Sequence, residues 1–233
     1  LQFLILSSTS VEVSETVLAL SGEEKEETVA EITRKSRPKI SAKNAKELVL
    51  KIDENYGEII ESAVAGTAVP KALVIAVIAQ ESKGDPTVKS PTGCQGIMQF
   101  CGPTAKDYGL CDNSKCSGRD DRIIPEKAIP AGAQLLQDDL SIFSGYTDAV
   151  SFALASYNGG PGTIQGAIKA TGKTNPSWNE VSAMIDEPLI AKYYKGKYFD
   201  TTEERNAKAR EIRQYVARVL TYVAAYEQAT EKE

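Results

Sequence analysis

The chain has 233 residues, enough for one substantial domain or one domain with an appendage, and its 42% hydrophobic and 25% charged content is that of a folded globular protein. Lysine and arginine number 27 against 32 aspartates and glutamates, a net charge of −5 without a basic cluster, so no nucleic acid partner is expected. No run approaches the roughly 20 apolar residues of a membrane helix, and the absence of histidine removes Ser-His-Asp and Cys-His nucleophile systems together with nearly all catalytic zinc arrangements.

Residues 1–42 are poor in bulky apolar residues after Leu20 and carry "SGEEKEETVAE" followed by the basic "TRKSRPK". They read as a linker or loosely ordered N-terminal arm, because so little apolar surface cannot offset the entropy of ordering. The opening "LQFLIL" is too short for a signal h-region and lacks a basic flank; it reads at most as the tail of one. The domain proper is expected over 43–233.

From Ser41, helical spacing of Leu48, Ile52, Tyr56, Ile59, Ile60 and Val64 predicts an amphipathic helix that stops near Gly66. Pro70 fits the first turn of a second helix, "PKALVIAVIAQES", apolar on nearly all faces and therefore buried. Residues 84–128, rich in Gly and Pro, read as a long irregular loop region, and loops this long are usually functional. Helical periodicity resumes at "PAGAQLLQDDLSIF" from Pro130, at "TDAVSFALASYN" from Thr147 and in a shorter piece after Gly162. Ser177 with Glu180, and Thr201 with Glu204, are spaced as capping boxes. The last helix carries Ile212, Tyr215, Val216, Val219, Leu220 and Val223 on one stripe. With no convincing strand alternation, the fold class is mostly α.

The four cysteines, 94, 101, 111 and 116, all fall in the long loop. Their C-x6-C-x9-C-x4-C spacing lacks the paired C-x2-C pattern of a metal site. Two disulfides fit better and imply an oxidising compartment. Three pairings exist, of which Cys94–Cys101 with Cys111–Cys116 is preferred; four reduced cysteines in packing and surface positions are the other reading.

Glu81 ends the apolar helix just before Gly84 and Pro86. Apolar surroundings and the negative end of the helix dipole both disfavour its charged form, which predicts a raised pKa. A carboxylic acid still protonated near neutral pH can protonate a glycosidic oxygen, whose alkoxide leaves poorly without a proton. The plainer alternative is a helix-terminal glutamate that reaches solvent or pairs with Lys83.

Further residues bear on that choice: Gly96-Ile97-Met98-Gln99, Ser156-Tyr157-Asn158-Gly159-Gly160, and Glu211-Ile212-Arg213-Gln214-Tyr215-Val216. With Glu81-Ser82, they make the chain resemble the soluble lytic transglycosylases and goose-type lysozymes over about residues 43 to 225. Those proteins carry a Glu-Ser pair, then Gly-Leu-Met-Gln, Ala-Tyr-Asn-Ala-Gly and Glu-Thr-x-x-Tyr-Val. The resemblance implies a lysozyme-like multi-helix domain with the long irregular loop beside an active-site groove.

It also implies roles. Glu81 would be the single catalytic acid, Ser90 a contact to the reacting sugar or the acid, and Gln99 a groove residue for an acetamido group. Tyr157 would place its hydroxyl near the catalytic carboxyl, and Asn158 would tie helix end to loop. Glu211 and Tyr215 would sit on the closing helix, Glu211 facing the glycan or its peptide. Each has a structural alternative. Gln99 and Ser90 can satisfy loop backbone, Tyr157 and Tyr215 can be core aromatics, Gly96, Gly159 and Gly160 can be turn residues, and Glu211 can pair with Arg218 or Lys208. Cys94 and Cys101 depart from the family's small and bulky apolar residues; bonded, they would staple the groove wall.

The implied reaction cleaves the MurNAc-GlcNAc β-1,4 bond of peptidoglycan without water and leaves 1,6-anhydroMurNAc ends, with Glu81 as acid and then base. It needs no metal and no cofactor. The expected partner is the peptidoglycan glycan strand, the expected state a monomer, and the expected place the cell envelope, periplasmic or extracellular. A goose-type lysozyme or chitinase on the same fold would instead need a carboxylate to activate water, from Asp107, Asp112, Asp120 or Asp121. A non-catalytic glycan-binding or scaffold domain is the alternative from another class, and it has no use for a buried acid.

Overall fold

A computed structural model describes residues 41–194 and 199–231, and nearly all of the N-terminal arm expected over 1–42 lies outside the described residues. Ser41 caps the first helix, α1 (Ala42–Val64), its hydroxyl accepting from the Asn44 amide. The helix buries Ala45, Val49, Ile52, Gly57 and Ile60 and leaves Leu48, Tyr56 and Ile59 at the edge of the core.

Next comes α2 (Lys71–Glu81), whose residues from Leu73 to Ala79 are all buried. A helix with no polar face needs neighbours on every side, and α1, α4 (Pro125–Ile142) and α9 (Thr202–Thr230) supply them. Pro70 stands one place before the expected first turn, as the residue that caps α2. After α2 the chain forms α3 (Gly102–Asp107), α4, α5 (Ala149–Gly159), α6 (Pro161–Ala170), α7 (Trp178–Ala183) and α8 (Glu187–Tyr193) before α9. Among the described residues only isolated β-bridges accompany the helices, at Lys89–Gln95, Gln95–Phe100 and Cys111–Asp120.

Three expectations need correction. The region 84–128 is not wholly irregular, because α3 forms within it with Pro103 in its first turn, where a missing N–H costs nothing. The helix expected from Pro130 starts at Pro125, and Pro130 lies inside it on the exposed side, where water can serve the carbonyl that the proline leaves without a partner. On α9, Leu220 is 38% exposed while Tyr222 and Tyr226 are buried. The helix runs well past the stripe read from the sequence, and its later turns bury tyrosine rings, with the Tyr226 hydroxyl donating to Asp53 on α1 at 2.7 Å.

Both capping boxes form, at Ser177/Glu180 before α7 and at Thr201/Glu204 before α9. The cysteines pair as Cys94–Cys101 and Cys111–Cys116.

Candidate active site

The end of α2 is held by its next residue. Ser82, 5% exposed, donates its hydroxyl to the Ile97 carbonyl at 2.8 Å, and the same oxygen accepts from the Gly84 amide at 3.2 Å. Lys83 and Gly84 then take positive φ, 55° and 82°, which turns the chain out of the helix. The Tyr56 hydroxyl of α1 donates to the Gly84 carbonyl at 3.2 Å. Glu81 is thereby fixed at the rim of the core.

Its carboxylate accepts a hydrogen bond from the Tyr215 hydroxyl of α9 at 2.6 Å. Removal from water is the largest influence on this carboxyl and pushes it up to about pH 7. The Tyr215 hydrogen bond opposes that rise, the Glu211 charge adds to it and the Lys208 charge opposes it. The partner of Glu81 is therefore Tyr215 rather than Lys83. An acid that is about half protonated at neutral pH can give a proton and take one back within a single cycle.

Tyr157 lies behind this pair. Its ring stacks on that of Tyr215 with centroids 6.4 Å apart and planes 12° from parallel. Its hydroxyl donates to the Met98 carbonyl at 2.8 Å, so direct contact with the acid falls to Tyr215. Burial raises both phenols well above their ordinary range, and the charge of Glu81 raises them further.

A second cluster joins the end of α5 to α9. Asn158 donates its amide to Glu211 at 2.9 Å, while the Lys208 ammonium donates to the backbone and side-chain oxygens of Asn158, each at 3.1 Å. Lys208 also pairs with Glu211 at 3.3 Å. Asn158 thus ties helix end to helix, and Glu211 adds to the rise at Glu81 from an exposed position. Gly159 is a packing glycine as well as a helix end, for a Cβ there would lie 2.8 Å from the Ile212 side chain.

Gln99 and Ser90 support the loop. Gln99, at φ 51°, donates its amide to the Val88 and Gly96 carbonyls at 2.9 and 2.8 Å. The Ser90 hydroxyl accepts from the Cys94 amide at 3.0 Å and shares a contact with Thr92. Gly96 has no room for any other residue, since its Cβ would meet the Arg122 carbonyl oxygen at 1.8 Å.

Three of the aspartates weighed for water activation are bound to cations. Asp112 pairs with Arg119, Asp120 with Arg122, and Asp121 with Arg119 and Lys127. Asp107 ends α3 and is exposed. The charges that shift Glu81 come instead from Glu211 and Lys208. A sulfur from each of Cys111 and Cys116 and an oxygen of Asp120 lie within 4.8 Å of one another, but sulfurs joined in a disulfide offer no thiolate to a metal.

One residue of this region was missed in the sequence, and one was named there without its contact. Asp139 of α4, 2% exposed, accepts from the Ser156 hydroxyl at 2.5 Å, and its other oxygen has no hydrogen-bond partner. Burial pushes its carboxyl up to about pH 7. The signal was present in the register of α4, where Asp139 follows Ala133 and Leu136 on the buried stripe. Ser82 was read as half of the Glu81-Ser82 pair, but its contact with Ile97 spans a loop that periodicity does not describe.

The family model described as Transglycosylase SLT domain matches residues 58–179, just over half of the chain. The chain belongs to this family. The match takes in Glu81, the loop and Tyr157-Asn158 of the SLT domain, while α9 lies beyond it. Among similar proteins is Membrane-bound lytic murein transglycosylase F 2 of Alkalilimnicola ehrlichii, 31% identical over 182 residues, which are 76% of this chain and 37% of that protein. Membrane-bound lytic murein transglycosylase F of Shewanella loihica is 34% identical over 149 residues, 61% of this chain and 28% of that one. The chain therefore spans well under half the length of these relatives. The solved complex of a 70-kDa soluble lytic transglycosylase with bulgecin A shares the fold, with TM-score 0.51 and 24% identity over 78% of this chain and 25% of that one. Among the described residues no helix is long and apolar enough to cross a membrane.

Proposed function

We propose that this SLT domain is a peptidoglycan lytic transglycosylase that cuts the MurNAc-GlcNAc β-1,4 bond and leaves 1,6-anhydroMurNAc ends. The observation that carries the reading is Glu81, a carboxylic acid held near pH 7 at the end of a buried helix and bonded by Tyr215, in a chain of this family. In the first step Glu81 gives its proton to the bridging oxygen as the C1–O bond breaks, and the substrate's own acetamido oxygen supports C1. In the second the C6 oxygen bonds to C1, the acetamido oxygen withdraws, and the C6 hydroxyl proton passes to the Glu81 carboxylate. The acid is regenerated and no water is consumed.

The alternative of a goose-type lysozyme or chitinase asks for a carboxylate that activates water, and the engagement of Asp112, Asp120 and Asp121 with cations weighs against the loop supplying it. Ser90 and Gln99 are assigned to shaping the groove wall, and Asn158, Glu211 and Tyr215 to its opposite side. The domain over 43–233 acts as a monomer on glycan strands, in a periplasmic or extracellular part of the envelope; two disulfides suit such a compartment. Residues 1–42 serve as its linker or arm.

Mass spectrometry of purified peptidoglycan digested with the full chain tests this. Products lighter by one water than reducing-end muropeptides are expected. Reducing ends in their place would overturn the transglycosylase reading in favour of a hydrolase, and no release at all would overturn both.

A further inference from the structure

We infer that the Cys94–Cys101 disulfide positions the catalytic site, so that reduction by a dithiol switches turnover off. This rests on the proposed activity at Glu81. The bond closes an eight-residue segment, 94–101, that reaches the site through two successive carbonyls. Ile97 accepts from Ser82, the residue after the acid, and Met98 accepts from Tyr157, the ring stacked on Tyr215. One stretch of backbone therefore fixes both the helix end that carries Glu81 and the ring behind its hydrogen-bond donor.

The segment is not wholly a shape the chain holds by local preference. Gly96 suits its positive φ of 88°, but Gln99 at 51° is a non-glycine residue in a region that persists only where its surroundings impose it. Inside the segment the backbone closes on itself through Gln95 N–H to the Phe100 carbonyl at 3.1 Å and Gln99 N–H to the Gly96 carbonyl at 3.1 Å. The disulfide lies immediately outside the first of these. Ile97 and Met98 are buried, whereas Cys101 is exposed, so the bond is open to a reductant while what it positions is not. Cys111–Cys116 closes the turn that packs on Gly102, next to Cys101, but makes no hydrogen bond to the helix end or to either tyrosine, and serves as the internal control.

In the chemical step a thiolate of an external dithiol attacks one sulfur, the S–S bond breaks, and its electron pair leaves on the other. The second thiol of the reductant then releases the mixed disulfide. Cys94 and Cys101 each end as a thiol, and the dithiol ends as its cyclic disulfide.

The full chain is treated with dithiothreitol, the reduced cysteines are located by alkylation and mass spectrometry, and muropeptide release is followed below the melting temperature. Reduction of Cys94–Cys101 is expected to lower kcat about tenfold or more with KM changed less than about threefold, reversed by oxidised glutathione. The Cys94→Ser/Cys101→Ser variant should start low and ignore dithiothreitol, and Cys111→Ser/Cys116→Ser should behave as wild type. Unchanged kcat after verified reduction overturns the inference, as does loss of activity that tracks loss of the far-UV helix signal. If the Cys94→Ser/Cys101→Ser variant does not fold, the reduced wild type decides. A readout independent of turnover is the carboxyl NMR titration of Glu81, whose midpoint should move on reduction as its burial and its Tyr215 bond change, although Tyr215, Glu211 and Lys208 are chemically untouched. A midpoint that stays in place overturns the inference even where the oxidised chain releases no product, an outcome that separately sinks the proposed activity.

Discussion

The Tyr215 hydroxyl donates to the Glu81 carboxylate at 2.6 Å, joining residues 134 positions apart in the chain. The bond favours the charged form of Glu81 against the burial that disfavours it. Tyr215→Phe should therefore raise the Glu81 pKa above its value of about 7 by roughly one unit. In a pH–rate profile, the limb governed by Glu81 should move to higher pH and kcat should fall. A limb that stays in place would remove Tyr215 from the tuning of the acid.

Glu81→Gln keeps the shape of the side chain and removes its proton chemistry. Muropeptide release should fall by about two to four orders of magnitude. Retained activity in a sensitive product assay would exclude Glu81 as the acid.

Lys208 and Glu211 act on Glu81 with opposite signs. Lys208→Met should raise the Glu81 midpoint and Glu211→Gln should lower it, seen by carboxyl NMR titration of the two variants side by side. Lys208→Met should also destabilise the fold by about 1–3 kcal/mol, because it strips the Asn158 carbonyl of its donor. Thermal unfolding measures that cost.

Folded Glu81 keeps its proton to about pH 7 against an ordinary 4.5, and folded Asp139 to about pH 7 against 3.8. Between those values the folded state binds more protons than the unfolded one, so these two groups make stability fall as pH rises toward 7. The stability lost at full shift is on the order of 3 kcal/mol for Glu81 and 4 kcal/mol for Asp139. Glu81→Gln and Asp139→Asn should each flatten the decline in denaturant midpoint between pH 4 and pH 8. Parallel curves for wild type and variants would show that neither carboxyl is shifted.

Gly159→Ala would drive a Cβ to 2.8 Å from the tip of the buried Ile212 side chain and to 3.1 and 3.3 Å from its branch carbons. A loss of about 1–3 kcal/mol is expected in chemical denaturation. A neutral result would mean that α5 and α9 slide freely at this contact.

The unusual state of Glu81 was legible because its sign is written locally, although α9 completes it: an apolar run ended by Gly84 and Pro86 marks both the burial and the helix end. The capping boxes and the disulfide pairing were legible for the same reason, since their partners lie within a few residues. The division of labour between two tyrosines was not. Tyr157 and Tyr215 reach Met98 and Glu81 through tertiary approach alone, and no periodicity distinguishes which hydroxyl meets the acid. Pro130 misled the start of α4 because Pro125 fills the first-turn role five residues earlier. Gln99 and Ser90 bond backbone groups inside the loop, contacts that a motif names but does not place.

Tyr215, Glu211 and Lys208 all come from α9, the last helix of the described chain. Because α9 packs against α2, any opening of α9 would admit water to Glu81 and bring its affinity for protons back toward the ordinary. Proton affinity is in this sense a gauge: the strength of the acid reports whether that helix is seated.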